Sequence, residues 1–203
     1  MIPMHRKACA VATALYMLIV SSVPVAPADA LEEWSRFARS PEARALVDWA
    51  HCALAQGLAG TQCASPFPGN LPAFYGRNGV FVTLVRGKRV RGCYGAFHHA
   101  SESLEEVLRD YLGGALRRDG RYPPLEVSEL GETRVVITIT GMEYPVDDIS
   151  ALDLARSGVV FSMESGAKLL FVPAEIKSID YLKKRVIMKS VVQVAAFRAV
   201  SIR

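Results

Sequence analysis

No C-x-x-C, no H-E-x-x-H and no acidic loop of calcium type occurs in this 203-residue chain. The common zinc and calcium frameworks are therefore without support, and no metal or other cofactor is expected. Charge of one sign is scarce as well. The formal net charge is +4, modest beside a protein built to neutralise many phosphates, so no nucleic-acid partner is expected. With 51% hydrophobic and 22% charged residues, the chain is too apolar and too weakly charged to be disordered. There is no internal repeat, low-complexity tract or interdomain linker, and the length suits one domain.

The start of the chain reads differently from the rest. His5, Arg6 and Lys7 precede an uncharged apolar run from Ala8 to Val23, after which Pro24 and Pro27 lead to Ala28-Asp29-Ala30. These are the three regions of a secretory signal with an A-x-A site before Leu31. The apolar run falls short of the ~20 residues of a spanning helix. The expected division is a signal over 1–30 and a folded domain over 31–203. The product is then exported, periplasmic or extracellular, with no stable membrane anchor once the signal is cleaved. Cys9 leaves with that signal. Cys52, Cys63 and Cys93 remain, an odd number for an oxidising compartment. Cys52 and Cys63 flank a short Gly-rich segment and could pair, leaving Cys93 alone, although other pairings stay open.

Trp34 and Phe37 begin a short helix. Ser40-Pro41 then opens a longer one, with Ala43, Leu46, Val47, Ala50, Ala53 and Leu54 at helical spacing and Gly57 or Gly60 at its end. Residues 60–79 are a loop. Val80–Val85 and Val90–Phe97 read as two strands around the tight turn Arg86-Gly87-Lys88-Arg89, a register that sets Cys93 opposite Val82. Ser103 to Glu106 is a capping box opening an amphipathic helix that Asp119-Gly120 stops. Thr133–Met142 is a strand, and residues 150–156 a short helix closed by Gly158. Val159–Met163 and Lys168–Val172 form a second hairpin, residues 174–188 a helix, and Val191–Ile202 a terminal strand. Hairpins outnumber βαβ units, so the class is α+β.

The order of motifs resembles the AMMECR domain family. Its hexapeptide stands here as Val90-Arg91-Gly92-Cys93-Tyr94-Gly95, after Gly79-Val80-Phe81-Val82-Thr83-Leu84. A second motif is Asp119-Gly120-Arg121-Tyr122-Pro123-Pro124-Leu125, and a third is Gly158 with Leu169-Leu170-Phe171-Val172-Pro173. The match runs over about residues 40–202. Tyr94 replaces a small aliphatic residue, and Pro173-Ala174-Glu175 stands where the family has P-Q-V. The resemblance implies a compact domain of two unequal lobes, with a mainly antiparallel sheet and flanking helices. It also implies association with a Memo-like protein or a radical-SAM enzyme.

Two function classes follow from the motif. Side chains alternate along a strand, so Arg91 and Cys93 share a face about 6.6 Å apart. A guanidinium that close favours the thiolate. Gly92 and Gly95 admit a ligand or another backbone, and Arg121 adds a second cation if its loop folds over the strand. The first class is a binding or accessory protein holding a small anionic molecule or a peptide at Arg91, Gly92, Gly95 and Arg121. The second is a thiol-dependent enzyme with Cys93 as nucleophile or redox centre, acting on a small acyl or redox substrate. Against the second stands a core reading of Cys93, since free cysteine is among the most buried residue types. Arg91 also needs a partner, for which Glu102, Glu105 and Glu106 are candidates. His98 and His99 point to opposite faces, so at most one reaches Cys93, and His51 reads as a helix-surface residue. The basic clusters Arg86/Lys88/Arg89 and Lys183/Lys184/Arg185 read as solvated surface, with phosphate or an anionic envelope component as the alternative.

Overall fold

The computed structural model describes residues 27–74 and 78–203. The expected signal segment lies outside them up to residue 26. Helix α1 spans Pro27–Phe37 and α2 spans Glu42–Ala59. The first hairpin is β1 (Gly79–Arg86) with β2 (Arg89–Ala96), followed by α3 (Leu104–Arg117). The chain continues through β3 (Thr133–Pro145), β4 (Ser157–Met163), β5 (Lys168–Phe171), α4 (Ile179–Arg185) and β6 (Val191–Ile202). The six strands form one antiparallel sheet in the order β2-β1-β3-β6-β4-β5. The class is α+β.

Periodicity explains the helices. In α3, Leu104, Val107, Leu108, Tyr111, Leu112, Ala115 and Leu116 are buried, and together they form a stripe three and four residues apart. Ser103 accepts from the Glu106 N–H, as a capping residue should. The Glu106 carboxylate instead takes the Ser101 hydroxyl, so only half of the expected box is made. In α2 the helix ends at Gly60, whose φ of 71° is left-handed.

Three clusters make the core. Helices α1–α3 pack on one face of β1, β2 and β3, burying Trp34, Trp49, Leu54, Val82, Leu108 and Ile137. Helix α4 sends Leu182 and Val186 against Val159, Phe161 and Phe171 of the other half. Between the halves the sheet curls on itself. The register of β3 on β6 breaks between Thr140 and Glu143, and such a break bends the strand. Phe81 of β1 thereby stacks on Phe197 of β6, ring centroids 6.3 Å apart, in a cluster that also holds Cys93, Val160 and Val172.

Two elements differ from expectation. Residues 174–188 are not one helix but a 3-10 turn at Pro173–Glu175, the short α4, and a second turn at Met188–Ser190. Residues 150–156 form no α-helix either. A 3-10 turn covers Ile149–Ala151, and β4 then starts at Ser157. Both stretches are punctuated by residues that cap or end a turn locally: Asp148 accepts from Ser150 N, and Ser178 from Tyr181 N.

Candidate functional site

Glycine 87 holds the left-handed turn expected of it, at φ 57°, and Arg86 pairs with Arg89. One step into the hairpin the alternation fails. Val85 pairs with Val90 but Leu84 with Gly92, so Arg91 is the extra residue of a β-bulge. Cys93 is therefore opposite Thr83, not Val82. This single slip moves it to the other face. Tyr94, not Cys93, shares the face of Val80, Val82 and Leu84, while Cys93 turns inward with Phe81 and Thr83.

The bulge also separates the two side chains expected to cooperate. Arg91 donates from Nε and Nη2 to Glu129, at 2.8 and 2.7 Å. None of the three glutamates before or on α3 is its partner. Glu129 sits in the 3-10 turn Val127–Glu132 ahead of β3 and also takes Arg86 Nη1 at 3.2 Å and the backbone N–H of Glu126. Those donors, Arg91 first, hold its carboxyl down at about 2. Arg86 adds Glu132 at 2.7 Å.

Cys93 meets a different set. Its backbone N–H, on the outer edge of the sheet, donates to Asp119 Oδ2 at 2.8 Å. Asp119 is gripped by Arg121 through Nε and Nη2, both at 2.9 Å. Arg121 Nη1 then lies 2.9 Å from Glu175 Oε1, an ion-pair distance without the alignment of a hydrogen bond. Glu175 is 2% exposed, and its second oxygen accepts from Val172 N. The edge strand β2, the loop after α3 and the turn after β5 are thus tied across the seam where the curled sheet nearly closes. Arg121 does fold over the strand as the sequence anticipated, but it serves Asp119 and Glu175.

The electrostatics at the thiol follow from that geometry. Cys93 is 6% exposed. Burial pushes its pKa well above the usual value, and the neighbouring Glu175 pushes it further. The Thr83 hydroxyl at 3.4 Å and the Arg121 charge pull the other way and lose. Burial likewise raises the carboxyl of Glu175 despite Arg121. Neither histidine candidate arrives. His99 is held between Tyr111 OH at 2.7 Å and the Asn78 carbonyl at 2.6 Å, and no bond links His98 to the thiol. His51, expected on the helix surface, bonds the Thr133 carbonyl at 3.0 Å. Cys52 and Cys63 are joined, leaving Cys93 as the free cysteine among the described residues.

The motif glycines are close-approach positions. A Cβ at Gly92 would overlap the carbonyl oxygen of Ala115 on α3, and one at Gly95 would overlap the Phe81 ring and the Val80 carbonyl. Tyr94 in turn lies against Gly114 of α3. Gly92 and Gly95 are thus filled by the protein's own atoms rather than left open to a ligand.

What remains open lies at the hairpin end. Arg86, Gly87, Lys88, Arg89, Val90 and Arg91 line, with Glu129 and Glu132, a groove of about 660 Å³. Glu129 and Glu175 were the members that sequence reading missed. Each is the third residue of a 3-10 turn whose carboxylate bonds back to the residue before that turn. For the first, the available signals were the E-x-x-E run at Glu126–Glu129 and the place of Glu129-Leu130 shortly after the Asp119–Leu125 motif. No cluster of three metal-ligating side chains occurs among the described residues.

Residues 47–200 match the family model AMMECR1. The chain is 32% identical over 113 residues to a protein of Thermotoga maritima, covering 55% of this chain and 64% of that one. It is 33% identical over 114 residues to a protein of Methanocella arvoryzae, covering 52% and 58%. Matches thus span between half and just under two thirds of the length of the first curated relatives. Among solved structures, an uncharacterised protein of Pyrococcus horikoshii superposes with a TM-score of 0.55 at 18% identity, over 83% of this chain and 89% of that chain. That likeness concerns the fold.

Proposed function

We propose, from the premise that this chain belongs to the AMMECR1 family, that it is a binding or accessory protein taking a small anion or acidic peptide in the groove beside Arg91. The observation that carries this reading is the makeup of that groove. Four cationic side chains face two carboxylates. Arg86 and Arg91 are fixed by Glu129 and Glu132, which presets their planes, while Lys88 and Arg89 have no carboxylate partner among the described residues. Arg91 commits Nε and Nη2 to Glu129 and leaves Nη1 for a ligand. A planar guanidinium so held loses little entropy on binding a carboxylate or phosphate. The thiol reading lacks comparable support, because an activated cysteine needs a lowered pKa and access, and Cys93 has neither. Export stays part of the proposal on the strength of the N-terminal sequence.

Titration with inorganic phosphate and with a triglutamate peptide, followed by backbone amide shifts, tests this. Saturable shifts are expected at residues 86–91. Lys88→Ala with Arg89→Ala should weaken binding about tenfold, added salt should weaken it further, and Cys93→Ser should leave it unchanged. Binding indifferent to the double substitution, or no saturable shift with either probe, would contradict the assignment.

A further inference from the structure

Ile187, Met188 and Val192 are 63%, 41% and 63% exposed, and they make three of the six exposed large hydrophobics among the described residues. All three fall within six residues of chain, Ile187 and Met188 between α4 and β6 and Val192 at the start of β6. Lys189 lies among them, Lys183, Lys184 and Arg185 come just before them on α4, and Lys177 precedes that helix. The carboxylates nearby are fewer. Asp180 lies on α4, Asp148 is close enough to Lys183 for that lysine to help keep it ionised, and Glu164 bonds through its N–H to the Ser190 carbonyl. Lys184 and Lys189 have no carboxylate partner among the described residues.

The fold explains how the turn is presented. Leu182 and Val186 anchor α4 in the core. The chain then has to cross from that buried face to the start of β6, and the 3-10 turn Met188–Ser190 makes the crossing in solvent. Met188 is exposed on this turn, Ile187 just before it and Val192 at the start of β6. On α4 Tyr181 is half-buried, with Lys177 and Arg185 each 5.6 Å from its ring centre.

We propose that this surface docks the protein on an anionic phospholipid bilayer. An acidic protein would satisfy the lysines but would need a socket for each projecting side chain. A bilayer surface supplies both requirements, with phosphates at the level of the lysines and an apolar layer just beneath. A tyrosine flanked by cations is suited to the boundary between the two. The attachment proposed is peripheral, through side chains at the surface; no helix among the described residues is long and apolar enough to cross a membrane. It is independent of the hairpin groove and of which side of a membrane the protein meets.

Co-sedimentation of the chain without the expected signal, residues 31–203, with phosphatidylcholine vesicles, and with vesicles mixing in phosphatidylglycerol, reads this out. Binding is expected only to the mixed vesicles and should fall with salt. Each of Lys184→Ala and Lys189→Ala should reduce it about fivefold. Ile187→Ser with Met188→Ser should reduce it about tenfold or more, and these exposed positions leave the core intact. Lys88→Ala with Arg89→Ala should leave vesicle binding in place. Equal binding to neutral vesicles, no binding to the mixed ones, loss through the hairpin pair instead, or capture only by an acidic peptide would each overturn the proposal.

Discussion

Gly92→Ala is expected to destabilise the protein by about 3 kcal/mol or more, a large effect for one added methyl group. The added carbon meets the carbonyl oxygen of Ala115, which is helix backbone. No side chain can rotate away, so α3 must shift as a body against β1 and β2. Gly114→Ala offers the contrast. There the new methyl meets Cγ, Cδ1 and Cβ of Tyr94, so Tyr94→Ala, which removes the two nearest of these atoms, should recover part of the loss in that background, while it should not rescue Gly92→Ala. Urea unfolding with an unchanged slope reports these differences. A Gly92→Ala protein within about 0.5 kcal/mol of the parent would mean that α3 does not press on the strand at this point.

The second large effect is at the seam. Arg121→Ala is expected to cost about 2–3 kcal/mol at neutral pH, the low end for a broken buried pair. The low end is appropriate because the Arg121 side chain is 42% exposed and water screens it in part. Most of the cost comes from Glu175, which is buried and would be left without its cation. A carboxyl in that position takes up a proton instead, and this gives the deficit a pH dependence of fixed sign. Glu175 already has a folded pKa above the ordinary carboxyl value because of burial. Its favourable contribution is present below the unfolded pKa and is lost as pH rises through the folded one. Without Arg121 the folded value moves higher still, so the deficit should be small in acid and grow towards neutrality. Glu175→Gln in the Arg121→Ala background should restore most of the stability at neutral pH. A deficit that ignores pH, or no rescue, would remove Glu175 from the explanation. Glu129 and Asp119 have lowered pKa values and act in the opposite sense, stabilising above the ordinary carboxyl range and losing that contribution in acid. Comparing variant with parent cancels most of the Glu129 contribution. Asp119 is the exception, since its lowered value depends in part on the Arg121 that the variant removes.

The α+β class, the two hairpins and the stripe of α3 were legible because they rest on local spacing and punctuation. The site was legible in its members more than in its geometry. Arg91, Cys93 and Arg121 all lie at structured positions, yet the bulge at Arg91 divides them between two faces. Nothing in Arg86-Gly87-Lys88-Arg89-Val90-Arg91 announces an extra residue, since a bulge is decided by what each neighbouring strand can pair with. Glu129 and Glu175 stayed hidden for another reason. Their partners are 38 and 54 positions away in the chain, and a carboxylate in a short 3-10 turn looks like ordinary surface until the sheet curls. The stretch 174–188 failed as a helix because Ser178 caps a new start inside it, a local hydrogen bond that overrides an apolar period.

Cys93 is packed against Phe81, Val160, Val172 and Phe197 at the seam, the position of a structural thiol rather than a nucleophile. The measurement that tests this most directly is the rate of alkylation of Cys93 against pH, in folded protein with the Cys52–Cys63 bond intact, read by mass spectrometry. Labelling no faster than global unfolding, at every pH that keeps the protein folded, is the expected result. Rapid labelling with a midpoint well below about 8.5, the value of a free cysteine, would contradict it and make the motif a thiolate site.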